Sequence, residues 1–153
     1  LYNRRHAMEK LEEERVRFQR SARPFSIVIC DIDFFKKVND AHGHDCGDAV
    51  LKTLAGLLRR HIRGQDCLAR WGGEEFLLLL PETGKEGAAV LAEKLRKRVE
   101  EHEFTYAGSK IPVTMTFGVA EYAGDYDIDA AIVGADGALY KGKNGGRNRV
   151  VVF

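Results

Sequence analysis

Two pairs of acidic residues stand where a folded chain ordinarily keeps apolar ones. Asp31 and Asp33 follow the most apolar segment, residues 25–30, and Glu74 and Glu75 lie between a Gly-Gly pair and a second apolar run, residues 76–80. Carboxylates at the ends of buried strands repel one another unless a cation sits among them. Hard oxygen ligands from one or two carboxylates, completed by substrate phosphates, are what Mg²⁺ prefers. Two such ions about 3.5–4 Å apart can activate an attacking oxygen and stabilise a leaving one. Taken singly, each acid reads as a solvated turn residue. An Asp-x-Asp after one strand and a Glu-Glu inside a Gly-Gly hairpin together point to metal-assisted chemistry on phosphate.

Cations accompany the acids. Lys36 follows the first acidic turn, and Lys143 and Arg147 flank Asn144-Gly145-Gly146 near the C-terminus. A helix end followed by glycines and cations can be a plain C-cap with charges that complement the helix dipole. The alternative is a phosphate clamp, with Arg supplying bidentate donors and Lys a point charge. No GxxxxGK[ST] loop is present, which excludes a P-loop nucleoside triphosphatase, and GxGxxG, HExxH and GxSxG are absent as well.

The elements that would position these residues follow from the apolar periodicity. A charged helix over residues 4–22 carries Met8, Leu11 and Phe18 on one side and reads as an N-terminal linker helix (1–22) before the main domain (23–153). Residues 25–30 form a buried strand ending at Asp31. A short helix covers 34–41, and Asp45 caps a longer one bearing Val50, Leu54, Leu57, Leu58 and Ile62. Residues 66–70 and 76–80 are strands joined across Trp71-Gly72-Gly73 as a β-hairpin, closed by Pro81. Thr83-Gly84-Lys85-Glu86 has the capping-box pattern and opens a helix that buries Ala88, Leu91, Leu95 and Val99. A small strand over 104–110, a main strand over 113–120, a helix marked by Ile128, Ala131, Ile132, Ala135 and Leu139, and a final strand over 148–153 complete the chain. The order predicts an α/β sandwich (α+β): a mixed central β-sheet flanked by helices on a ferredoxin-like core, with the Gly-Gly turn carried on a hairpin.

Composition limits the alternatives. A formal net charge of +1 over 153 residues argues against a basic DNA- or RNA-binding module, and 44% hydrophobic residues argue against a disordered acidic tail. No apolar run approaches the ~18 residues of a membrane span, so no direct membrane contact is expected, and the charged N-terminus is unlike a signal peptide. Cys30, Cys46 and Cys67 are odd in number and form no CxxC pair, which argues against a disulfide framework or a zinc site and fits a reducing cytoplasm; Cys30 and Cys67, inside apolar runs, read as small core residues. The start in a charged helical pattern without Met reads as a domain taken from a longer protein, with a sensory or receiver region expected before it and the cytoplasm as its location.

Five ordered motifs resemble one family. Arg70-Trp71-Gly72-Gly73-Glu74-Glu75-Phe76 resembles the signature loop of the GGDEF family in its GGEEF form. Asp31-Ile32-Asp33-Phe34-Phe35-Lys36-Lys37-Val38-Asn39-Asp40 resembles its DxDxFKxxND segment, and Gly43-His44-Asp45-Cys46-Gly47-Asp48 its GHxxGD segment. Ala138-Leu139-Tyr140-Lys141-Gly142-Lys143 with Gly146-Arg147-Asn148 matches its closing pattern, and Leu1-Tyr2-Asn3-Arg4-Arg5 the end of its opening motif. The resemblance spans essentially the whole chain. It implies a diguanylate cyclase, which condenses two GTP into cyclic di-GMP and pyrophosphate, with a fold similar to nucleotide cyclases and the polymerase palm.

The resemblance also implies residue roles. Asp31, the Ile32 carbonyl and Glu75 would hold Mg²⁺, or Mn²⁺ in its place, two ions per active site. Glu74 would help deprotonate the 3'-hydroxyl, and the two glutamates could share or exchange these tasks. Asp33 is not expected to be a ligand. Gly72 and Gly73 would let backbone approach the nucleotide. Asn39 and Asp48 would read guanine, whose adjacent N1–H and N2–H donors suit a carboxylate, with His44 beside the base. Lys36, Lys143 and Arg147, with the backbone N–H groups of Phe34 and Phe35, would clamp the triphosphate. Arg63-Gly64-Gln65-Asp66 matches the family's RxxD inhibitory product site, where Arg can bond and stack on guanine. Its usual second Arg falls at Lys94, which cannot fork or stack, so product affinity is weaker or Arg96 or Arg98 compensates.

One domain holds one GTP, so catalysis requires a homodimer with facing sites. A catalytically silent module that binds cyclic di-GMP or GTP is the alternative, and degenerate signature residues, its hallmark, are not seen. An RNA-binding sheet is disfavoured because residues 113–117 lack adjacent aromatic and basic residues.

Overall fold

The computed structural model describes all 153 residues. Twelve elements follow one another: α1 (Arg4–Ser21), β1 (Phe25–Ile32), α2 (Phe35–His42), α3 (His44–Arg60), β2 (Cys67–Arg70), β3 (Glu75–Leu80), α4 (Lys85–Glu101), β4 (Phe104–Tyr106), β5 (Ser109–Ile111), β6 (Met115–Tyr122), α5 (Ile128–Asn144) and β7 (Val150–Val152). Five strands form one sheet in the order β2-β3-β1-β6-β7. The first four are antiparallel to their neighbours, and β7 lies parallel to β6. The four strands β1, β2, β3 and β6, with their crossover helices, are the β-α-β-β-α-β arrangement of a ferredoxin-like core.

Both faces of the sheet are covered, which is why β1 reads as an unbroken apolar run. Val28, Cys30 and Ile32 point into a core shared with α3 and α4, together with Leu54, Leu58, Leu78 and Leu95. The alternating Phe25, Ile27 and Ile29 point into a second core shared with α1 and α5, with Leu11, Leu77, Leu79 and Leu139. This alternation puts Asp31 on the α5 side, in step with Ile27 and Ile29.

Gly118 on β6 sets how closely α5 lies. A Cβ there would stand 2.1 Å from the Ala135 carbonyl oxygen and 2.4 Å from the Leu139 nitrogen. At the far end of the same contact, Gly142 lies against Thr116, where a Cβ would approach Cγ2 to 2.6 Å. Backbone therefore packs on backbone, and the residue after Gly142, Lys143, is delivered to the end of β1.

Several local expectations are corrected. The buried stripe of α1 is Ala7, Leu11 and Glu14, whereas Met8 is exposed, because the helix rolls its smallest residue toward the sheet. The N-cap of α3 is Gly43, whose φ of 89° few other residues tolerate, and Asp45 lies inside the first turn. The N-cap of α4 is Gly84 without a side-chain bond. Thr83 instead donates to the Pro81 carbonyl and accepts from Arg63 at 2.7 Å, so a tertiary partner replaces the capping box. Leu91 is only partly buried. The segment over 104–110 is a two-stranded hairpin, β4 with β5, rather than one strand. No helix is long and apolar enough to cross a membrane.

Candidate active site

The strand register brings the acids together. Asp31 and Glu75 are direct cross-strand partners between β1 and β3, and Thr116 is the partner of Asp31 on β6. Like charges placed directly opposite destabilise a sheet. Asp31 is buried, and Lys143 Nζ donates to its Oδ2. Its other oxygen, Oδ1, is buried without any hydrogen-bond partner.

The acids respond to this crowding. Burial pushes the Asp31 carboxyl above the ordinary range, opposed by Lys143 and reinforced by Asp33. Glu74 and Glu75 are raised first by burial, then by the charge of Asp31, with Lys143 opposing in both cases. A cation added among them would relieve all three.

The turn that carries the glutamates is tightly laced. Trp71 and Gly72 both donate backbone N–H groups to the Glu75 carbonyl, at 2.9 and 3.2 Å. Arg70 Nε donates to the Gly72 and Gly73 carbonyls at 3.2 and 3.0 Å. The Ile32 amide reaches the Glu74 carbonyl at 3.4 Å, tying the turn to the end of β1. Gly72 lies close to Glu75, whose Oε2 would be 3.1 Å from an added Cβ, and Gly73 faces open space.

Asp33 has a different task. It accepts from Thr114 Oγ1 at 2.8 Å, Thr116 Oγ1 at 2.6 Å and the Asn148 amide at 2.9 Å. Its oxygens are committed to joining β1, β6 and the segment after α5.

A divalent metal fits the donors present. No three His, Cys, Asp or Glu side chains converge closely enough to form a metal cluster. What does exist is an unpartnered buried carboxylate oxygen on Asp31 with Glu75 directly across the sheet. Two carboxylates, a main-chain carbonyl and substrate phosphates match the sparse protein ligation typical of Mg²⁺.

On the phosphate side, Phe34 precedes α2 in the left-handed region at φ 55° and projects an exposed ring. The Arg147 guanidinium and Lys37 ammonium each lie 4.5 Å from that ring centroid. Lys36 is exposed on the first turn of α2, whose leading N–H groups lack intrahelical acceptors. Lys143 is on Asp31 rather than free in solvent.

On the base side, Asn39 and Asp48 come from different helices, α2 and α3. Gly47 makes their approach possible. The Asn39 Oδ1 atom stands 1.9 Å from where a Cβ on Gly47 would be, and it is buried with no partner. Asp48 is exposed and helps line a cavity of about 350 Å³ with Leu1, Leu51, Arg70 and Phe76. His44 is exposed in the first turn of α3.

The Arg63–Asp66 pair is made. Asp66 Oδ2 accepts from the Arg63 amide at 2.8 Å, and Oδ1 accepts from Arg63 Nη2 at 3.1 Å. Lys94 and Arg98 share one exposed face of α4. Arg96 turns away from them, toward Glu93 and Asn148.

Residues 1–149 match the family model described as diguanylate cyclase, GGDEF domain. The chain belongs to the GGDEF family. Diguanylate cyclase A of Treponema denticola is 46% identical over 128 residues, covering 83% of this chain and 34% of that protein. This GGDEF domain spans about a third of the length of the curated relatives it matches, or less. The active GGEEF domain of a diguanylate cyclase from Vibrio cholerae has a TM-score of 0.92 and 39% identity, covering 100% of this chain and 97% of that one. The GGDEF domain of DgcB from Caulobacter crescentus, solved in complex with c-di-GMP, has a TM-score of 0.95 and 30% identity, covering 99% and 91%. The expected mixed α/β architecture is that of these structures.

Several residues of this GGDEF domain were not singled out from sequence. Gly47 admits Asn39, Arg70 braces the turn, Thr114 and Thr116 hold Asp33, and Asn148 ties α4 to the loop after β1. Gly47, Arg70 and Asn148 lie inside the family motifs, so their positions are visible in the sequence although their tasks are not.

Proposed function

We propose that this GGDEF domain condenses two GTP molecules into cyclic di-GMP and releases pyrophosphate. The observation that carries the reading is the Asp31–Glu75 cross-strand pair beneath a fully formed GGEEF turn. Like charges facing each other across a sheet are destabilising, and arrangements of this kind cluster at functional sites.

Asp31, Glu75 and the Ile32 carbonyl would hold the metal, as Mg²⁺ or Mn²⁺ and two ions per site. When bound, the metal supplies Lewis-acid stabilisation of charge on the reacting phosphate and acidifies the attacking hydroxyl. Asp48 accepts from guanine N1–H and N2–H, which adenine does not offer, and Asn39 completes base recognition with His44 beside it. Lys36, Arg147 and the N–H groups of Phe34 and Phe35 hold the triphosphate, and Lys143 divides its charge between Asp31 and the phosphates. Glu74 receives the 3'-hydroxyl proton, and Gly72 and Gly73 let the turn approach the nucleotide. Such transfer depends mainly on positioning and electrostatics.

Each domain holds one GTP, so the 3'-hydroxyl of one must meet the α-phosphate of the other across a C2 dimer. Arg63 and Asp66 bind cyclic di-GMP and restrain the enzyme, with Lys94 a weaker contributor than Arg. An upstream region of the full-length protein would control the pairing of domains in the cytoplasm.

The test is to fuse the chain to a dimerising helix, incubate it with GTP and Mg²⁺, and separate the nucleotides by chromatography. Cyclic di-GMP is expected from GTP and no cyclic dinucleotide from ATP. Binding of GTP or cyclic di-GMP with no product at high protein concentration would identify a silent sensor instead.

A further inference from the structure

Asn148 occupies the third of three consecutive residues with positive φ: Gly146 at 121°, Arg147 at 65° and Asn148 at 44°. Two of them carry side chains, and non-glycine residues persist in this region only where surrounding structure holds them. The hold on Asn148 is complete. Its amide donates to Asp33 Oδ2 at 2.9 Å, its side-chain oxygen accepts from Arg96 Nη1 at 2.9 Å, and its side-chain nitrogen donates to Glu100.

Arg96 is itself fixed. Glu93 takes its Nε and Nη2 at 2.8 and 2.7 Å, Glu100 lies 3.7 Å from Nη1, and only 14% of its side chain is exposed. A forked guanidinium can satisfy Glu93 and Asn148 together, and a lysine ammonium cannot match that geometry. Arg147, adjacent to Asn148, is anchored by its own amide to the Gly142 carbonyl at 3.0 Å and rests its guanidinium over Phe34.

We propose that Arg96 is a positioning residue for the triphosphate: acting through Asn148, it holds the left-handed turn that presents Arg147 beside the loop after β1. This rests on the reading of Arg147 as a phosphate ligand. Arg96 touches no substrate, and its contribution passes through a turn 52 residues away in sequence. The helix that supplies it, α4, also carries Lys94, so the product-site face and the phosphate turn are joined through one rigid element.

Calorimetry and amide exchange test the proposal with Arg96→Met, Arg96→Lys and Asn148→Gly. Asn148→Gly keeps the left-handed backbone accessible and leaves Arg96 its glutamate partners. All three are expected to weaken GTP binding about tenfold, the loss of a well-aligned charge-assisted contact, while guanosine, which has no phosphates, binds as before. In an Arg147→Ala background, Arg96→Met is expected to add less than about twofold, because the two act in series. Equal losses for GTP and guanosine, or full additivity with Arg147→Ala, would overturn the proposal. Exchange of the Asn148 amide is expected to accelerate about tenfold in Arg96→Met, with β1 unchanged; an unaltered rate would also overturn it. Failure of the wild-type chain to bind GTP would overturn the functional reading instead, and the amide measurement would still decide whether Arg96 holds the turn.

Discussion

Asp31 and Glu75 face each other across neighbouring antiparallel strands, and one oxygen of Asp31 is buried without a hydrogen-bond partner. Lys143 satisfies only the other oxygen. The pair is an unfavourable sheet contact in the metal-free chain, and a shared cation, as proposed above, would make it a favourable one, linking stability to function at a single position.

Replacing Glu75 with Gln removes one of the facing charges while keeping its shape. Relief on the order of 0.5–1 kcal/mol follows from the cross-strand rule, and a chain of this size should then melt about 1–4 °C higher. The same variant is expected to lose cyclic di-GMP synthesis. Thermal melting in EDTA and a product assay check the two halves; a lower melting temperature would show that Glu75 is satisfied in the metal-free state.

The raised carboxyl groups also set a pH dependence. Asp31, Glu74 and Glu75 hold protons more tightly folded than unfolded. Between their ordinary values, about 4, and their raised folded values, the native state binds more protons than the unfolded state. Stability from these groups therefore falls as pH rises through that window and is flat above it. Denaturant midpoints of metal-free protein are expected to decline less in Glu75→Gln than in wild type over that range. Identical pH profiles would remove Glu75 from the linkage.

Much of this was legible in the chain. Unbroken apolar runs marked β1 and β3 as buried on both faces, and the acids that interrupted them marked the site. Contacts between distant segments were not legible. Asp31 and Lys143 are 112 residues apart, and they meet because Gly118 of β6 and Gly142 of α5 let helix and strand pack closely. Asp33 looks like its neighbour Asp31 in sequence, yet three donors, Thr114 just before β6, Thr116 on β6 and the Asn148 amide of the C-terminal turn, make it structural. Thr83 had the pattern of a helix cap until Arg63 took its hydroxyl.

Gly47→Ala isolates the base-reading side. A methyl there would overlap Asn39 Oδ1, the end of a side chain that can swing away, and would press on the buried Phe35 ring, whose Cζ would be 3.0 Å from it. Alanine favours the helix by about 1 kcal/mol, which opposes this crowding, so melting should change by less than about 4 °C. GTP affinity is expected to fall by about 1–2 kcal/mol, roughly five- to thirty-fold, through loss of an aligned hydrogen bond. Unchanged affinity by calorimetry would separate Asn39 from guanine recognition.

Gly118→Ala tests the placement of α5. The methyl would meet helix backbone, which cannot swing aside. A loss of about 3 kcal/mol in denaturant unfolding is expected from such overpacking. A loss under about 1 kcal/mol would mean that α5 is free to shift from the sheet.

Arg63→Ala bears on regulation. Under the proposed product inhibition, cyclic di-GMP binding to the chain is expected to drop at least tenfold, on the order of 1.4 kcal/mol or more, and added product is expected to slow synthesis by the wild type and not by the variant. Unaltered inhibition would place the product site elsewhere.

The most direct measurement of the central claim is the initial rate of cyclic di-GMP formation from GTP and Mg²⁺ as a function of protein concentration, for wild type and Glu75→Gln. Two pyrophosphates per cyclic di-GMP, a wild-type rate that climbs faster than linearly with protein, and no product from the variant are expected. A linear rate, or turnover retained without the Glu75 carboxylate, would contradict the claim.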